Sequence, residues 1–198
     1  MVWRQGLITK LNELGVKGTM LNWIYSLISN RSFQVRVGVE LSETYNLENG
    51  IPRGSELSPL LFAVMINDLP KVIKSDHGLF ADDCAIWRSG GSITELLSSL
   101  QSTSNEISAW CSRWGFIISK TKSVAMIFTR KRKIGPLSLT INGSHLSFVN
   151  KFKYLVVIFD RTLSYKYHID YVVSKCTKRL NLLKILSGTY RGAGKILY

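Results

Sequence analysis

The hydrophobic pattern changes period several times along the chain. Leu7, Leu11 and Leu14, then Leu21, Ile24 and Ile28, recur at helical spacing and predict helices over 4–14 and 18–29. Over 32–38 the period falls to two, with Phe33, Val35 and Val37 alternating with polar neighbours, so a strand is expected. Leu60, Leu61, Val64, Met65 and Leu69 restore helical spacing over 58–69, with Ser58 suited to the N-cap and Pro59 to the first helical position. Residues 78–87 set two short apolar runs around Asp82-Asp83, the pattern of a hairpin with a polar turn.

Ser92 and Glu95 have capping-box spacing and open a long helix. Its apolar face is Ile93, Leu96, Leu97, Leu100, Ile107, Trp110, Cys111 and Trp114, and Gly115 is its stop. The tryptophans on this face are expected in the core behind the hairpin. Residues 124–128 and 154–159 read as strands, and Asn142-Gly143 reads as a hairpin turn within 139–146. From about Tyr167 a helix carries apolar Ile169, Val172, Val173, Cys176, Leu180 and Leu183 beside Lys175, Lys178, Arg179 and Lys184. Helices and strands thus alternate in an α/β (α+β) order, and strands give way to helix near Arg161.

Charge sharpens this picture. Residues 1–100 hold 9 Lys and Arg against 10 Asp and Glu, a net of −1; residues 101–198 hold 17 against 3, a net of +14. The second half has the balance of a surface for a polyanion, most simply nucleic acid. Its densest run is Arg130-Lys131-Arg132-Lys133, which taken alone fits a solvated loop better than a binding site. Hydrophobic content of 45% over 198 residues suits one good core or two lobes and argues against disorder. Cys84, Cys111 and Cys176 are too scattered for a zinc site or a disulfide framework and are expected to be small buried side chains in a reducing compartment. Neither a signal-peptide pattern nor a membrane-length apolar run is evident, so the expectation is an intracellular protein, nuclear or cytoplasmic, without a membrane partner.

Two segments carry candidate chemistry. Asp82 and Asp83 stand as adjacent hard-oxygen ligands between apolar flanks, which suits Mg²⁺ held by few carboxylates plus substrate phosphates. Ordinary turn chemistry accounts for the same ten residues equally well. Upstream, Gly50-Ile51-Pro52-Arg53-Gly54-Ser55 is a loop running into a helix N-terminus, where backbone approaches a ligand closely and anions are favoured.

Taken together and in this order, the two segments resemble a reverse transcriptase of a non-LTR, jockey-like retrotransposon. Gly50 to Pro59 matches the family's Gly-x-Pro-Gln-Gly-Ser-x-Leu-Ser-Pro, with Arg53 in place of Gln; Phe80-Ala81-Asp82-Asp83 matches its aromatic-Ala-Asp-Asp box. Trp114-Gly115-Phe116 with Ser119, Lys122 and Ser123 resembles the next block, and the run from Phe152 through Tyr154-Leu155 to His168-Ile169 resembles the one after.

The resemblance implies a polymerase palm over 1–160, an antiparallel sheet packed on helices, and the start of a helical thumb over 161–198. It implies RNA template, DNA primer and deoxynucleotide as partners, with Mg²⁺ (or Mn²⁺) as cofactor. Asp82 would be the direct metal ligand and Asp83 the weaker one. Lys122 would lie near the leaving pyrophosphate, although a surface lysine on a strand edge is an equal reading. Gly50, Pro52, Arg53, Gly54 and Ser55 would face nucleotide and template, while Lys175, Lys178 and Arg179, with the 130–133 run, would face nucleic acid. Val156 stands where the family has a glycine that turns the primer-gripping strand.

Val2-Trp3 resembles the tail of the first palm block. The family's first aspartate is therefore expected roughly eight residues earlier, with fingers and endonuclease regions of a parent polyprotein also outside this chain. The competing reading is a catalytically dead, nucleic-acid-binding remnant of a mobile element.

Overall fold

The computed structural model describes residues 2–52, 54–132 and 134–187, for Leu186 the backbone alone. Arg53 and Lys133, both named above, lie outside the described residues. The elements run α1 Arg4–Glu13, α2 Gly18–Ile28, β1 Arg31–Phe33, β2 Arg36–Val37, β3 Glu40–Leu41, β4 Tyr45–Leu47, α3 Leu57–Ile66, α4 Leu69–Val72, β5 Asp76–Phe80, β6 Asp83–Trp87 and α5 Ile93–Arg113. They continue β7 Val124–Ala125, β8 Thr140–Ile141, β9 Ser144–His145, β10 Ser147–Phe148, β11 Lys151–Tyr154, β12 Val157–Asp160 and α6 Lys166–Leu186. The mixture of helices and small antiparallel ribbons is the expected α+β class. Among the described residues the strands pair only in twos, and one pair, β7 with β10, is parallel.

The chain packs as two units, Met1–Ser123 with Ser138–Leu146, and Val124–Leu137 with Ser147–Tyr198. In the first unit one core joins Leu7 and Leu11 of α1, Ile24 and Ile28 of α2, Leu61 and Met65 of α3, and Ile107, Trp110, Cys111 and Trp114 around α5. Leu7, Ile28 and Met65 are fully buried; each such side chain stabilises by about 1.5–3 kcal/mol. Trp110 and Trp114 are core, as their helical spacing predicts. Ser92 caps α5 by accepting from the Glu95 N–H at 3.4 Å, and Gly115 ends the helix with φ +70°.

The β8–β9 hairpin turns at Asn142-Gly143 with φ of +48° and +71°, as its sequence demands. Gln101 and Ser104 of α5 hold it, both donating to the Thr140 carbonyl, while the Thr140 N–H donates to Gln101 Oε1. These bonds draw 138–146 into the first unit although its chain neighbours belong to the second.

Lys10 is the polar exception in this core. It is 4% exposed, its ammonium donates to the Met65 carbonyl and Asp68, and it lies 4.8 and 4.0 Å from the ring centres of Trp110 and Trp114. Burial lowers its pKa, against the Asp68 hydrogen bond and charge, which raise it.

Several expected elements come out differently. The strand over 32–38 is broken into β1 and β2, because β1 pairs with β4 whereas β2 folds onto β3. The helix over 58–69 starts at Leu57 with Glu56 at its cap and ends at Ile66, α4 following separately; Ser58, one residue inside, spends its hydroxyl on the Pro52 carbonyl. The strand over 124–128 contracts to two residues, since β10 offers only two partners. The strand over 154–159 is instead a hairpin: β11 and β12 pair from Lys151↔Asp160 to Tyr154↔Val157, and Leu155-Val156 is the turn. Of the three cysteines only Cys111 is buried; Cys84 and Cys176 are exposed.

In the second unit, Asp160 organises the junction from β12 to α6. Its buried carboxylate accepts from the N–H and hydroxyl of Thr162, the N–H and hydroxyl of Ser164 and the N–H of Tyr165, at 2.7–3.2 Å. The Thr162 hydroxyl first, then the Ser164 and Thr162 bonds, hold this carboxyl well below the usual carboxylate range against the opposing effect of burial. The bonds fix a segment in which Leu163 and Tyr165 both take positive φ. Beyond it, α6 leaves Ile169, Val172, Val173, Leu180 and Leu183 exposed beside its lysines. No described helix is long and apolar enough to cross a membrane.

Candidate functional site

The aspartate pair is presented by a hairpin that stands on the first core. β5 and β6 pair from Asp76↔Trp87 to Phe80↔Asp83, and Leu79 and Ile86 pack against the core cluster. Alternation then turns the tip outward. Ala81 and Asp82 make the turn and Asp83 opens β6, so the two carboxylates occupy inequivalent backbone positions rather than sharing the turn. Ala81 takes φ +50°, a conformation that costs an L-residue about 1 kcal/mol. Asp82 and Asp83 are exposed, and among the described residues neither forms an ion pair. The described residues contain no group of three or more His, Cys, Asp or Glu placed to hold a metal.

The glycine-rich loop is held from one side by two arginines that the sequence pattern did not single out. Arg4 donates through Nη2 to the Leu47 carbonyl at 2.6 Å, and its backbone N–H donates to Asn49 Oδ1 at 3.2 Å. Arg31, directly across from Leu47 in the β1–β4 ribbon, donates to the Gly50 carbonyl at 3.0 Å. The Gly50 N–H in turn donates to the Val2 carbonyl at 2.8 Å, which joins the loop to the chain start. Arg4 and Arg31 each keep a buried Nε without a partner among the described residues. Their signal in the sequence was weak, because an isolated arginine reads as a surface cation until its carbonyl acceptors are located.

Within the loop, Gly50 and Gly54 take φ of +95° and +84°. Pro52 is half-buried, and its carbonyl accepts from Ser58. Ser55 accepts weakly from the Leu57 N–H at 3.4 Å and so does part of the capping expected of Ser58. Lys122 is exposed in a turn closed by its N–H to the Ser119 carbonyl, not on a strand edge, and makes no ion pair with either aspartate.

In the second unit, Arg130, Lys131 and Arg132 are exposed, and Arg161 donates to the Lys131 carbonyl. Lys178 and Arg179 are exposed on α6. The better-built basic cluster lies at the N-terminal end of that helix. Lys153 of β11 donates to the Tyr171 hydroxyl at 2.9 Å, and the Lys153 and Lys175 ammonium groups lie 4.7 and 4.8 Å from the Tyr171 ring centre. Lys151 lies 5.0 Å from that of Tyr167. Of these, only Lys175 stood out in the sequence. At the tip of the same ribbon, Leu155 and Val156 take φ of +43° and +75°. Val156, which the resemblance sets in place of a glycine, thus takes the left-handed conformation that glycine favours.

In the first unit the carboxylates stand on a hairpin tip that packs on the helical core, and a glycine-bearing loop runs into a helix start; the second unit carries its own basic cluster. Comparison with known proteins gives the class. The chain belongs to the reverse transcriptase (RNA-dependent DNA polymerase) family, whose model matches residues 1–159. It is 29% identical over 195 residues to a probable RNA-directed DNA polymerase from transposon BS of Drosophila melanogaster, covering 93% of this chain and 21% of that protein. It is 32% identical over 177 residues to the RNA-directed DNA polymerase from mobile element jockey of Drosophila funebris, covering 85% of this chain and 19% of that protein. The jockey-like resemblance read from the motifs is therefore supported over most of the chain, which spans about a fifth of the length of these relatives.

Proposed function

We propose that the chain forms part of the palm, with the start of a thumb, of a retrotransposon reverse transcriptase, and that its encoded role is RNA-templated DNA synthesis. The observation that carries this reading is the Asp82-Asp83 tip standing on the core in a chain of the reverse transcriptase family. Two exposed, adjacent carboxylates without cationic partners among the described residues suit Mg²⁺ or Mn²⁺, which take hard oxygens and leave further positions to phosphates. When bound, such an ion supplies Lewis-acid activation and charge neutralisation for attack of a primer hydroxyl on a nucleotide phosphate.

The protein's own residues have distinct parts in this reading. Asp82, free in the turn, is the principal ligand, and Asp83, tied into the β5–β6 ladder, the lesser one. The loop from Gly50 to Ser55, with Pro52, Arg53 and Gly54, bounds the nucleotide and template, and Arg4 and Arg31 hold its backbone in place. Lys122 offsets charge on the departing pyrophosphate. Arg130, Lys131, Arg132, Lys133, Lys175, Lys178 and Arg179 contribute the sequence-independent attraction to nucleic acid.

Mn²⁺ binding followed by electron paramagnetic resonance tests the site. The chain should bind in about the millimolar range expected of two carboxylates; Asp82→Asn should abolish binding and Asp83→Asn only weaken it. Equal effects would refute the division of roles. Loss of all metal binding with DNA and RNA binding retained would favour the catalytically dead remnant. The chain as it stands should extend no labelled primer on an RNA template, because two-metal transfer needs a further carboxylate beside the pair, and the described residues hold no group of three or more His, Cys, Asp or Glu placed for a metal.

A further inference from the structure

The second unit holds a depression of about 420 Å³ that the proposed function does not use. Ile127, Ile134, Leu137, Phe148 and Val149 give it apolar walls, and each of them is only half-buried. Arg132, Arg161 and Asn150 complete the polar part of its lining.

Backbone hydrogen bonds frame the depression. The Val149 N–H donates to the Ala125 carbonyl at 2.9 Å, the Arg161 N–H to the Asn150 carbonyl at 3.0 Å, and the Thr129 N–H to the Arg161 carbonyl at 2.9 Å. These bonds join the segments that carry Ile127, Phe148 and Arg161. The Arg161 guanidinium is itself held, since it donates to the Lys131 carbonyl. A pocket framed in this way is formed before a ligand arrives, so binding costs little ordering.

Charge and polarity select the occupant. Residues 124–137 and 147–198 contain two acids, Asp160 and Asp170. Asp160 spends both its oxygens on five hydrogen bonds to residues 162–165, and among the described residues neither acid forms an ion pair. Arg132 and Arg161 thus line the depression without a carboxylate partner among the described residues. The apolar walls disfavour a phosphodiester strand, whose charges and sugars need water along their whole length. They suit one anionic group joined to a compact apolar body: guanidinium takes a carboxylate through paired N–H donors, and the walls take the body.

We propose that this depression binds a small organic acid, a single carboxylate on an aromatic or branched apolar body. The body lies against Ile127, Ile134, Leu137 and Phe148. The carboxylate accepts from Arg132 and from the guanidinium N–H groups that Arg161 does not spend on Lys131. The site belongs to the second unit and the aspartate hairpin to the first, so the proposal does not rest on the nucleotidyl-transfer reading.

Gly135 offers a way to fill the site. It lines the depression, its φ is not in the left-handed region, and a Cβ there would meet nothing within 4 Å. A larger side chain at this position enters open space without backbone strain.

The test is titration of the full chain, with isotope-labelled isoleucine methyl groups followed by NMR, using phenylbutyrate, phenylbutanol and butyrate as probes. Phenylbutyrate should shift the Ile127 and Ile134 signals, with an affinity in about the millimolar range for a ligand of this size. The Ile107 signal, from the core of the first unit, should not move. Phenylbutanol should bind about ten-fold more weakly, the size of one charge-assisted hydrogen bond. Butyrate, which lacks the apolar body, should shift neither signal. Arg132→Gln should weaken phenylbutyrate binding about ten-fold, and Gly135→Leu should abolish it with helicity and melting temperature unchanged.

Equal affinity for phenylbutanol, or no shift at Ile127 and Ile134 with phenylbutyrate, would overturn the proposal. So would unchanged binding in either variant. Arg132 is exposed and in no ion pair among the described residues, so its variant decides the matter even if Gly135→Leu fails to fold. A single-stranded DNA oligomer that reproduced the same two shifts at moderate salt would make the depression part of a nucleic-acid surface and would also overturn it.

Discussion

In the β5–β6 hairpin the two-residue turn is Ala81-Asp82, with φ +50° at Ala81; in the β11–β12 hairpin it is Leu155-Val156, with φ of +43° and +75°. Both ribbons therefore close with ordinary L-residues in the left-handed region, and both turns lie within residues 1–159, which the family's model matches. They differ in what stands behind the strain. The first hairpin packs Leu79 and Ile86 onto a shared core of helices. The second leaves Leu155 and Val156 41% and 66% exposed at its tip and is tied down at its foot, where Asp160 ends β12. One hairpin is supported by packing on a core, whereas the other is tied at its foot to the start of α6 through a carboxylate, so packing, acid and glycine substitutions should affect them differently.

The largest effect should come from the core that carries the first hairpin. Lys10→Ala removes a side chain packed on Trp110 and Trp114 and leaves the Met65 carbonyl without its donor. We expect a loss of about 3 kcal/mol, mostly of packing, since Asp68 is exposed enough to be solvated alone. Urea unfolding followed by tryptophan fluorescence measures it. A loss below about 1 kcal/mol would show that this cation is incidental to the core.

Next in size is Asp160→Asn, at the foot of the second hairpin. It should lower helicity and the melting temperature of the second unit while leaving the tryptophan signal of the first nearly unchanged. Acid should mimic it. The folded pKa of Asp160 lies below its unfolded value, so its contribution is fully present above about pH 5 and is lost as pH falls below the unfolded value near 3.9. An Asp160→Asn chain that lost as much helicity on acidification as wild type would contradict this assignment.

Smaller, and opposite in sign, is Val156→Gly. A β-branched residue at φ +75° costs about 1–3 kcal/mol. After the greater unfolded-state freedom of glycine is counted, a gain of about 1 kcal/mol remains. A destabilised Val156→Gly would mean that valine packs at the tip in a way its exposure does not show. Ala81→Gly should do least, a gain of a few tenths of a kcal/mol in thermal unfolding, because alanine tolerates the left-handed region better than valine. Together the two glycine substitutions separate turn strain from the support behind it.

The same hairpins show what could be read in advance. The β8–β9 turn was legible because Asn142-Gly143 states its own geometry. The β11–β12 turn was not: Leu155-Val156-Val157-Ile158 is a continuous apolar run that reads as strand, and only the Phe152↔Phe159 register shows that the chain reverses within it. The aspartate hairpin was legible as a platform, but the assignment of Asp82 to the turn and Asp83 to the ladder came from pairing. Arg4, Arg31 and Lys153 were invisible as functional candidates, since their partners are backbone carbonyls and a hydroxyl distant in sequence.

By itself the sequence determined the class of fold, the helical core built on α1, α3 and α5, the capped start of α5 and the family, because these rest on periodicity, local capping and contiguous motifs. Tertiary structure alone decided which strands pair, where the chain parts into two units, which arginines hold the Gly50 loop, and that Lys10 is buried while most of α6 is not. The physical reason is the range of the interactions. A helix face or a cap is settled within a few residues, whereas a strand partner or a buried cation is settled by whatever else competes for the same hydrogen bonds and the same core.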